Sequence, residues 1–422
     1  MRFIGSLLAV LLALSVNVVS AGDWPQILGP DRNGIARDES LADQWPTNGP
    51  PTVWERPVGS GFSAISVAGG KAVLFHRKGQ EEIAEAINAK TGQTIWSRSF
   101  PAAYVPSFTS DSGPRATPLI RDGRVYLYGA QAAIYCLDMS DGKVLWQRDA
   151  YEDYSSKRPS RGEPPEGYFG FGSSPILEGN RLLINIGGST KEAGIVAFDA
   201  TTGKTLWKAT DERASYSSPV AATIGKQRHV IFATRLNVVS VDPADGRVLF
   251  RFPFGRLGPA ATGACPVVLG DTVFLSASYG FGAVLAKAGA SGAIEVWSDD
   301  EVMSSQYTTC VRHGELLFGI HGRQDQGFAA LRCFNPKTKQ IAWTKEDFGY
   351  ATLLLADDKL VILTTDGELV LAEANTKKYV ELARTRLFNS TTRAIPAFSN
   401  GSLFVRDKAT LKCMDLSDQS GG

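Results

Sequence analysis

Two arginines occupy equivalent places in the sequence, each three residues before a proline that opens an apolar run. Arg115 begins Arg115-Ala-Thr-Pro118, and Arg393 begins Arg393-Ala-Ile-Pro396. The corresponding places in other segments hold the aromatic residues Tyr216, Tyr307 and Tyr350, and Phe171 lies one residue earlier in its segment. Guanidinium groups beside aromatic rings and hydroxyls can hold an anionic or sugar-like ligand. These six residues are therefore predicted to form a ligand site; the alternative is that they merely line a narrow, wet channel.

No other arrangement is typical of a metal or nucleophile site. Zinc needs three or four converging ligands, and no short ligand spacing links the four histidines, His76, His229, His313 and His321. There is no Gly-x-Ser-x-Gly motif. One repeated small-residue position, typical of inert buried thiols, holds three of the five cysteines, Cys136, Cys333 and Cys413. We therefore predict no metal ligand and no catalytic residue.

Composition narrows the class of protein. The chain has 422 residues, of which 43% are hydrophobic and 21% charged, with a formal net charge of +1. Enough apolar material is present for a core, which excludes a disordered chain. The absence of a basic excess gives no electrostatic case for nucleic acid as a partner. A single long apolar stretch argues against a protein that spans the membrane several times.

That stretch lies at the amino terminus and predicts export. Met1-Arg2 supplies a positive flank, residues 4–19 are mostly apolar, and Val19-Ser-Ala21 offers a cleavage site. This is the layout of a secretory signal peptide. We predict a signal peptide over residues 1–21, a periplasmic or extracellular location, and no transmembrane span after cleavage; a retained anchor is the alternative. Residues 22–50 then form an amino-terminal extension.

The positions of the candidate residues follow from an internal repeat. It combines an acidic residue or Asn, a turn usually containing Gly, an apolar residue and Trp, as in Asp138-Met-Ser-Asp-Gly-Lys-Val-Leu-Trp146. A second pattern runs in phase with it: an apolar run breaks at a pair such as Asp122-Gly123 and resumes. Because Asp-Gly and Asn-Gly accept positive φ, each such run predicts two strands joined by a tight turn.

Eight of these units follow one another at spacings near 45 residues. They begin at Ile65, Pro118, Pro175, Pro219, Pro266, Cys310, Leu353 and Pro396. The sequence therefore predicts an all-β, eight-bladed β-propeller of four-stranded repeats over residues 51–418, with a tail at 419–422. The eighth unit lacks its last strand, and the segment around Trp54 is predicted to supply it, so that both chain ends share one sheet.

The repeated tryptophans are predicted to be structural. A large flat ring near the edge of a blade can pack against the next blade, and its burial contributes roughly 3 kcal/mol. The inter-blade residues predicted in this way are Trp54, Trp96, Trp146, Trp207, Trp297 and Trp343.

The repeat Asp199-Ala-Thr-Thr-Gly-Lys-Thr-Leu-Trp207 resembles that of the pyrroloquinoline quinone (PQQ) repeat family. The resemblance covers residues 53–416. This family contains quinoprotein alcohol dehydrogenases and also the outer-membrane assembly scaffold BamB, which binds no quinone. The opening segment, residues 23–34, resembles that of a planctomycete-type group of PQQ-like propellers with no assigned activity. The resemblance implies the fold and leaves the function open.

A dehydrogenase of this family would need a particular set of residues. The resemblance implies Ca²⁺ held by carboxylate and amide oxygens beside the quinone, an Asp acting as base, and usually two adjacent cysteines. The segments that lead into the eight innermost strands define one face of the propeller, the top face. They contain no Asp or Glu, and no two cysteines are adjacent. We therefore predict no cofactor, with PQQ and Ca²⁺ as the alternative.

Two long connections also lie on the top face. The longer, residues 149–172, carries the residues predicted to contact a partner, Tyr151, Tyr154, Arg158 and Arg161. Long loops in a compact fold are often functional, although a solvated insertion is the alternative.

Together these features predict an exported, non-catalytic binding or scaffold module. Its top face would take a protein or a small polar or anionic ligand. A PQQ-dependent oxidoreductase is one alternative. Another enzyme using the channel mouth is a second, because Asp111 and Asp325 lie in top-face loops. The oligomeric state is not predicted.

Overall fold

The structure, a computed structural model, describes residues 22–46, 48–106, 111–155, 169–256, 260–289 and 292–418. The predicted signal peptide, the tail, Arg158 and Arg161 lie outside these ranges. Almost all regular structure is strand. In chain order the strands are β1 (Thr52–Pro57); β2 (Ser66–Ala68), β3 (Lys71–Lys78), β4 (Glu81–Asn88), β5 (Thr94–Pro101); β6 (Leu119–Arg121), β7 (Arg124–Tyr128), β8 (Ala133–Asp138), β9 (Val144–Asp149); β10 (Ile176–Glu178), β11 (Arg181–Asn185), β12 (Ile195–Asp199), β13 (Thr205–Ala209); β14 (Val220–Ile224), β15 (Gln227–Ala233), β16 (Asn237–Val241), β17 (Val248–Pro253); β18 (Val267–Leu269), β19 (Thr272–Ser276), β20 (Ala283–Gly289), β21 (Gly292–Asp299); β22 (Val311–His313), β23 (Leu316–Arg323), β24 (Phe328–Phe334), β25 (Ile341–Lys345); β26 (Ala351–Ala356), β27 (Lys359–Thr364), β28 (Glu368–Glu373), β29 (Glu381–Arg386); and β30 (Ala397–Ser399), β31 (Ser402–Arg406), β32 (Thr410–Asp415).

These strands form eight four-stranded antiparallel sheets, the blades of a β-propeller. Blades 1 to 7 each use four consecutive strands, starting with β2. Blade 8 has the order β1-β32-β31-β30, so its outermost strand comes from the amino-terminal side of the chain. The predicted fold, including closure by the segment around Trp54, is confirmed. The boundaries proposed for the signal peptide, extension and tail remain predictions.

Local chemistry explains the turn between the first two strands of a blade. In blade 2, Asp122 and Gly123 have φ of 52° and 70°, and in blade 8, Asn400 and Gly401 have 51° and 73°. Two consecutive positive φ values are what a two-residue type I′ hairpin turn requires. Asp and Asn tolerate this conformation better than other side chains, and glycine does so at no steric cost.

The repeat glycine of one blade and the tryptophan of the preceding blade form one contact. Gly142 has a φ of 72°, and a Cβ added there would lie 2.5 Å from the Trp96 ring. The indole N–H of Trp96 also donates to the Met139 carbonyl at 3.0 Å. Trp54 makes the same contacts to Gly92 and to the Ala89 carbonyl, at 2.9 Å. Indole N–H bonds to the next blade are made likewise by Trp146, Trp207, Trp297 and Trp343.

Between neighbouring blades the sheets pack through aliphatic and aromatic side chains. One such cluster joins blades 2 and 3 through residues that include Tyr128, Phe171, Ile184 and Phe198. All five cysteines are buried and free, as expected for inert thiols. Among the residues that the structure describes, no helix is long and apolar enough to cross a membrane.

Residues 22–46, the amino-terminal plug, cross the central channel. Trp24 exchanges two backbone hydrogen bonds of 2.8 Å with Val67, in the innermost strand of blade 1. Further along the plug, Gly34 and Ala36 each form a 2.8 Å backbone bond with Leu355, in the innermost strand of blade 7. Because innermost strands border the channel, pairing with two of them takes the segment across it.

A buried arginine anchors the plug between these contacts. Arg32 is only 3% exposed. Its guanidinium donates to the carbonyls of Pro219, at 2.7 Å, and Pro175, which directly precede the innermost strands of blades 4 and 3. Its Nε donates to Gln26 at 2.8 Å. Burial lowers the pKa of Arg32 to about 10, which leaves it charged at neutral pH.

Candidate functional site

A cavity of about 720 Å³ lies at the top of the channel. Its walls come from segments leading into the innermost strands, represented by Arg115, Tyr216, Tyr307 and Arg393. Ile27 of the plug also lines it, and deeper plug residues such as Leu28 and Arg32 are buried. The plug therefore provides the floor, and we call the enclosed space the mouth cavity.

Four of the six predicted ligand residues line this cavity, and two do not. Phe171 is 1% exposed and packs against Tyr128, with ring centroids 5.7 Å apart. Tyr350 is 4% exposed, and its hydroxyl accepts the backbone N–H groups of Tyr307, at 2.7 Å, and Thr308, at 3.1 Å. Both rings turn into the hydrophobic layer between blades, so their predicted place on the channel wall is wrong.

Arg115 is held by the loop that precedes it. Its guanidinium donates to the carbonyls of Asp111, at 2.7 Å, and Gly113. The Asp111 carboxylate lies 3.9 Å from Arg115 and accepts the backbone N–H groups of Gly61 and Gly113, each at 3.0 Å. Desolvation lowers the pKa of Arg115 from its usual value, and the neighbouring carboxylate opposes that shift. Asp111 thus supports the loop and the arginine.

Arg393 reaches the cavity from blade 8. Its guanidinium lies 5.2 Å from the centre of the Phe62 ring, and that of Arg115 lies 5.6 Å from the same point. Arg393 Nε donates to Gln324 Oε1 at 2.8 Å. Among the described residues, no carboxylate lies within 4 Å of Arg393, and its guanidinium also interacts with the Tyr307 hydroxyl. Two cationic groups therefore flank one aromatic ring.

A hairpin of blade 6 supplies another part of the wall. Between β23 and β24 a short 3-10 helix, Gln324–Gln326, places Arg323 and Asp325 at the rim. The two side chains form an ion pair at 2.5 Å. The hydrogen bond between them lowers the pKa of Asp325 and raises the pKa of Arg323. The Arg323 guanidinium also lies 4.3 Å from the centre of the Tyr279 ring.

Neutral polar groups join this hairpin to the adjacent wall. Gln306 Nε2 donates to the Tyr279 hydroxyl at 3.0 Å, and Gln306 Oε1 accepts the Gln324 backbone N–H at 2.9 Å. The Tyr307 hydroxyl donates to Gln324 Oε1 at 2.9 Å. Burial raises the pKa of both Tyr279 and Tyr307, so both phenols stay protonated at neutral pH.

Sequence reasoning placed Phe62 at the top of the channel, where it lies, but missed several other lining residues: Phe169, Arg256, Tyr279, Arg323 and Gln324. One signal was available for two of them. The connection between the second and third strands of a blade also emerges on the top face, and Arg323-Gln-Asp-Gln-Gly327 is unusually polar for such a turn.

Of the residues predicted to contact a partner, Tyr151 and Tyr154 lie in helix α1 (Ala150–Tyr154), not in an irregular loop. The Asp149 side chain caps this helix. Tyr154 is 5% exposed and hydrogen-bonded to Thr205, so it belongs to the core and offers no surface to a partner. Tyr151 is partly exposed.

Residues 79–381 match the family described as outer membrane protein assembly factor BamB. This match covers most of the chain. The protein belongs to this family of PQQ-like repeat β-propellers.

Its relatives within this propeller family differ in role. Quinoprotein alcohol dehydrogenase PedH of Pseudomonas putida is 29% identical over 195 residues, which are 44% of this chain and 30% of PedH. Outer membrane protein assembly factor BamB of Kangiella koreensis is 23% identical over 222 residues, 52% of this chain and 49% of that protein. The chain thus spans half or less of the length of both.

The crystal structure of BamB from Moraxella catarrhalis superimposes with a TM-score of 0.60 at 13% identity. The match covers 86% of this chain and 99% of that one. At this identity the likeness shows the fold alone.

The mouth cavity does not fit the calcium and quinone site of the dehydrogenases in this family. Ca²⁺ takes six to eight oxygen ligands, commonly including carboxylates. Among the described lining residues the one carboxylate is Asp325, which is paired with Arg323. Asp111 is occupied by backbone N–H groups. No group of three or more His, Cys, Asp or Glu side chains that could hold a metal occurs in the described part of the chain.

Proposed function

We propose that this protein is an exported, non-catalytic binding module that takes an anionic group into the mouth cavity. The observation that carries the proposal is the charge of the lining. Among the described residues, the charged ones that line the cavity are four arginines and one aspartate, Arg115, Arg256, Arg323, Arg393 and Asp325.

Physical reasons favour binding at this place. The aspartate is already paired with Arg323, so the remaining positive charge has no counter-charge on the lining itself. A concave, partly apolar surface strengthens the attraction between such charges and a ligand, because the effective dielectric is lower than in water. Arginine also offers a planar set of donors that suits carboxylate, sulfate or phosphate.

Two further observations support export and a scaffold role. Residues 1–21 have the composition of a signal peptide, and a relative in the family is named an outer membrane protein assembly factor. Under this proposal the anionic group belongs to a small molecule or to an acidic side chain of a protein partner. Tyr151, Arg158 and Arg161 remain predicted partner contacts.

Thermal unfolding of the purified protein in citrate or sulfate, against chloride at equal ionic strength, tests the proposal. A ligand at 100 times its dissociation constant adds about 2.7 kcal/mol to the stability of the folded state. We expect citrate to raise the melting temperature of the native protein and not that of an Arg393→Ala variant. An equal rise in both proteins, or none in either, would contradict the proposal.

A PQQ-dependent dehydrogenase is the second candidate, favoured by the 29% identity to PedH. Titration with PQQ and Ca²⁺, followed by an assay of alcohol-dependent dye reduction, separates the two. The binding proposal predicts no Ca²⁺-dependent stabilisation and no dye reduction. Saturable stabilisation that requires both additions, together with dye reduction, would establish the dehydrogenase.

A further inference from the structure

The plug turns the top of the channel into a blind cavity. Ile27 lines the cavity, and below it Trp24, Leu28 and Arg32 of the plug are each at most 3% exposed. These buried side chains fill the channel beneath the floor. A polymer cannot pass through such a channel. A polymeric ligand must therefore enter the cavity with one of its ends.

The cavity carries cations whose donors are not all used. Arg393 donates its Nε to Gln324 and also interacts with the Tyr307 hydroxyl, and among the described residues it has no carboxylate within 4 Å, so part of its donor capacity is left for a ligand. Arg256 is exposed at the rim and lines the same space. Charge-assisted hydrogen bonds to a carboxylate or sulfate are about twice as strong as neutral ones. An anionic substituent of a ligand therefore has two arginines to meet.

Most other polar groups of the lining are neutral and both donate and accept. Gln306, Tyr279 and Tyr307 are examples, and their mutual hydrogen bonds fix their orientation. The hydroxyl groups of a ligand also both donate and accept hydrogen bonds, so they match phenols and amides. Phosphate oxygens only accept hydrogen bonds and match these groups less closely. Pre-oriented groups of this kind lose little entropy when a ligand binds.

Aromatic and aliphatic side chains complete the wall. Phe62 lies between the two arginine contacts, and Phe169 packs edge-to-face on Tyr216, with ring centroids 5.5 Å apart. The C–H face of a sugar ring is apolar and can bury against such rings. A volume of about 720 Å³ lies in the usual range of small-ligand sites.

From these features together we infer that the mouth cavity binds the terminal residue of an acidic sugar, a ring that carries hydroxyls and one carboxylate or sulfate. This inference rests on the proposed function, because it names the class of anion that the cavity takes. Arg393 meets the charge, Tyr307 and Gln306 meet hydroxyls, and the aromatic side chains of the wall meet the ring face. The floor limits binding to an end of the chain.

Isothermal titration calorimetry with three probes tests the inference. They are a disaccharide ending in glucuronate, the matching disaccharide ending in glucose, and acetate at equal ionic strength. We expect the acidic disaccharide to bind at least about 10-fold more tightly than either of the others, because only it engages both kinds of group. Equal affinity for the two disaccharides would overturn the role of charge, and equal affinity for acetate would overturn the role of the sugar ring.

Three variants locate the binding. Arg393→Ala should weaken binding of the acidic disaccharide about 10- to 100-fold and leave the neutral one unchanged. Tyr307→Phe should weaken both disaccharides and leave acetate unchanged. Arg247→Ala is the matched control, because Arg247 is an exposed arginine in the blade 4 turn, away from the cavity. An equal loss in Arg247→Ala would overturn the site.

The two proposals fail in different ways. If citrate stabilises the protein through Arg393 but neither disaccharide binds, the sugar inference is wrong and the binding module stands. If neither citrate nor the acidic disaccharide depends on Arg393, both are wrong. Acidic oligosaccharides with glucuronate only at internal positions should not compete, and full competition by them would contradict end binding.

Discussion

Arg32 and Arg393 lie at two levels of one channel, Arg32 in the plug below the mouth cavity and Arg393 at the mouth itself, in opposite circumstances. Arg32 in the plug is 3% exposed and donates to backbone carbonyls of two different blades. Arg393 at the mouth is partly exposed, and its Nε donates to Gln324. The same kind of side chain thus completes the fold in the plug and is available to a ligand at the mouth.

The contrast shows how a symmetric ring becomes asymmetric in function. Eight similar blades leave a channel that is open at both ends unless something fills it. At the lower end the chain uses its own segment, residues 22–46, whose polar groups pair with inner-strand backbone. At the upper end it leaves cationic groups around a cavity. Substitutions at the lower end should change stability, and substitutions at the mouth should change binding.

The largest expected effect comes from breaking the lower end. Arg32→Ala leaves the carbonyls of Pro175 and Pro219 buried without a donor and opens a void in the channel. Each buried carbonyl left without a donor costs about 1–3 kcal/mol, so the two together cost about 2–6 kcal/mol. We expect the free energy of unfolding, measured by chemical denaturation, to fall by that amount.

Arg37→Ala is the control, because Arg37 lies in the same segment and its side chain is 65% exposed in an ion pair with Asp31. Such a surface pair contributes about 0–1 kcal/mol. Equal losses in the two variants would show that the plug does not depend on its buried arginine.

A second, smaller effect on stability should distinguish a glycine turn that packs against a neighbouring blade from a glycine turn that faces solvent. Gly142→Ala combines a positive φ of 72° with a Cβ 2.5 Å from the Trp96 ring, whereas Gly123→Ala has a φ of 70° and nothing within 4 Å. The strained φ alone costs about 1–2 kcal/mol. We expect Gly142→Ala to lose roughly 2 kcal/mol more, because the Trp96 ring must move and overpacking costs about 1–3 kcal/mol.

Thermal unfolding of both variants measures this difference. Because the two glycines share their backbone conformation, the difference isolates the contact with the tryptophan. Losses that agree within error would show that Trp96 moves freely and holds no neighbouring blade in place.

How far the sequence predicts this architecture depends on where the determining interactions lie. Turns such as Asp122-Gly123 carry their own conformational preference, and contacts such as Trp96 on Gly142 repeat from blade to blade. The number of strands, the number of blades and the closure of the ring can therefore be predicted from local sequence patterns. The plug contains no repeat, and its partners, such as Leu355, lie hundreds of residues away. The sequence therefore predicts an amino-terminal extension but does not predict that it lies in the channel.

The candidate site follows the sequence only in part, for a different reason. A residue that leads into an innermost strand can turn toward the channel or toward the neighbouring blade. Arg115 and Arg393 carry charge and remain at the channel, whereas Phe171 and Tyr350 turn into the apolar layer between blades. Burial of a large ring between blades stabilises the fold more than placing that ring on the water-filled channel wall. Residue type at one position does not decide between the two until the packing is known.

A third effect is a pH dependence of the free energy of unfolding, and it comes from Glu82 of blade 1. Its side chain is buried, accepts the Ala130 N–H at 2.9 Å, and has its pKa raised to about 7 by burial. The unfolded value is near 4.3, so between these values the folded state binds more protons. The free energy of unfolding therefore falls as pH rises from about 4.5 through 7.

Glu82→Gln removes this titration and keeps an acceptor for Ala130. We expect the stability of the native protein, relative to the variant, to fall by about 2 kcal/mol between pH 5 and pH 8. Denaturant unfolding at several pH values measures the difference. The exposed neighbour Glu81, changed to Gln, is the control, and a slope equal to that of Glu82→Gln would show that burial of Glu82 is not the cause.

The smallest expected effect is at the mouth, and it decides the comparison. Arg393→Ala gives up the hydrogen bond to Gln324, whose Oε1 keeps the Tyr307 hydroxyl as a donor. Because no buried group loses its last partner, the free energy of unfolding in chloride buffer should change by less than about 0.5 kcal/mol. A loss as large as that of Arg32→Ala would mean that Arg393 is structural. A negligible loss, measured beside abolished stabilisation by citrate, would mean that the chain keeps this arginine for a ligand.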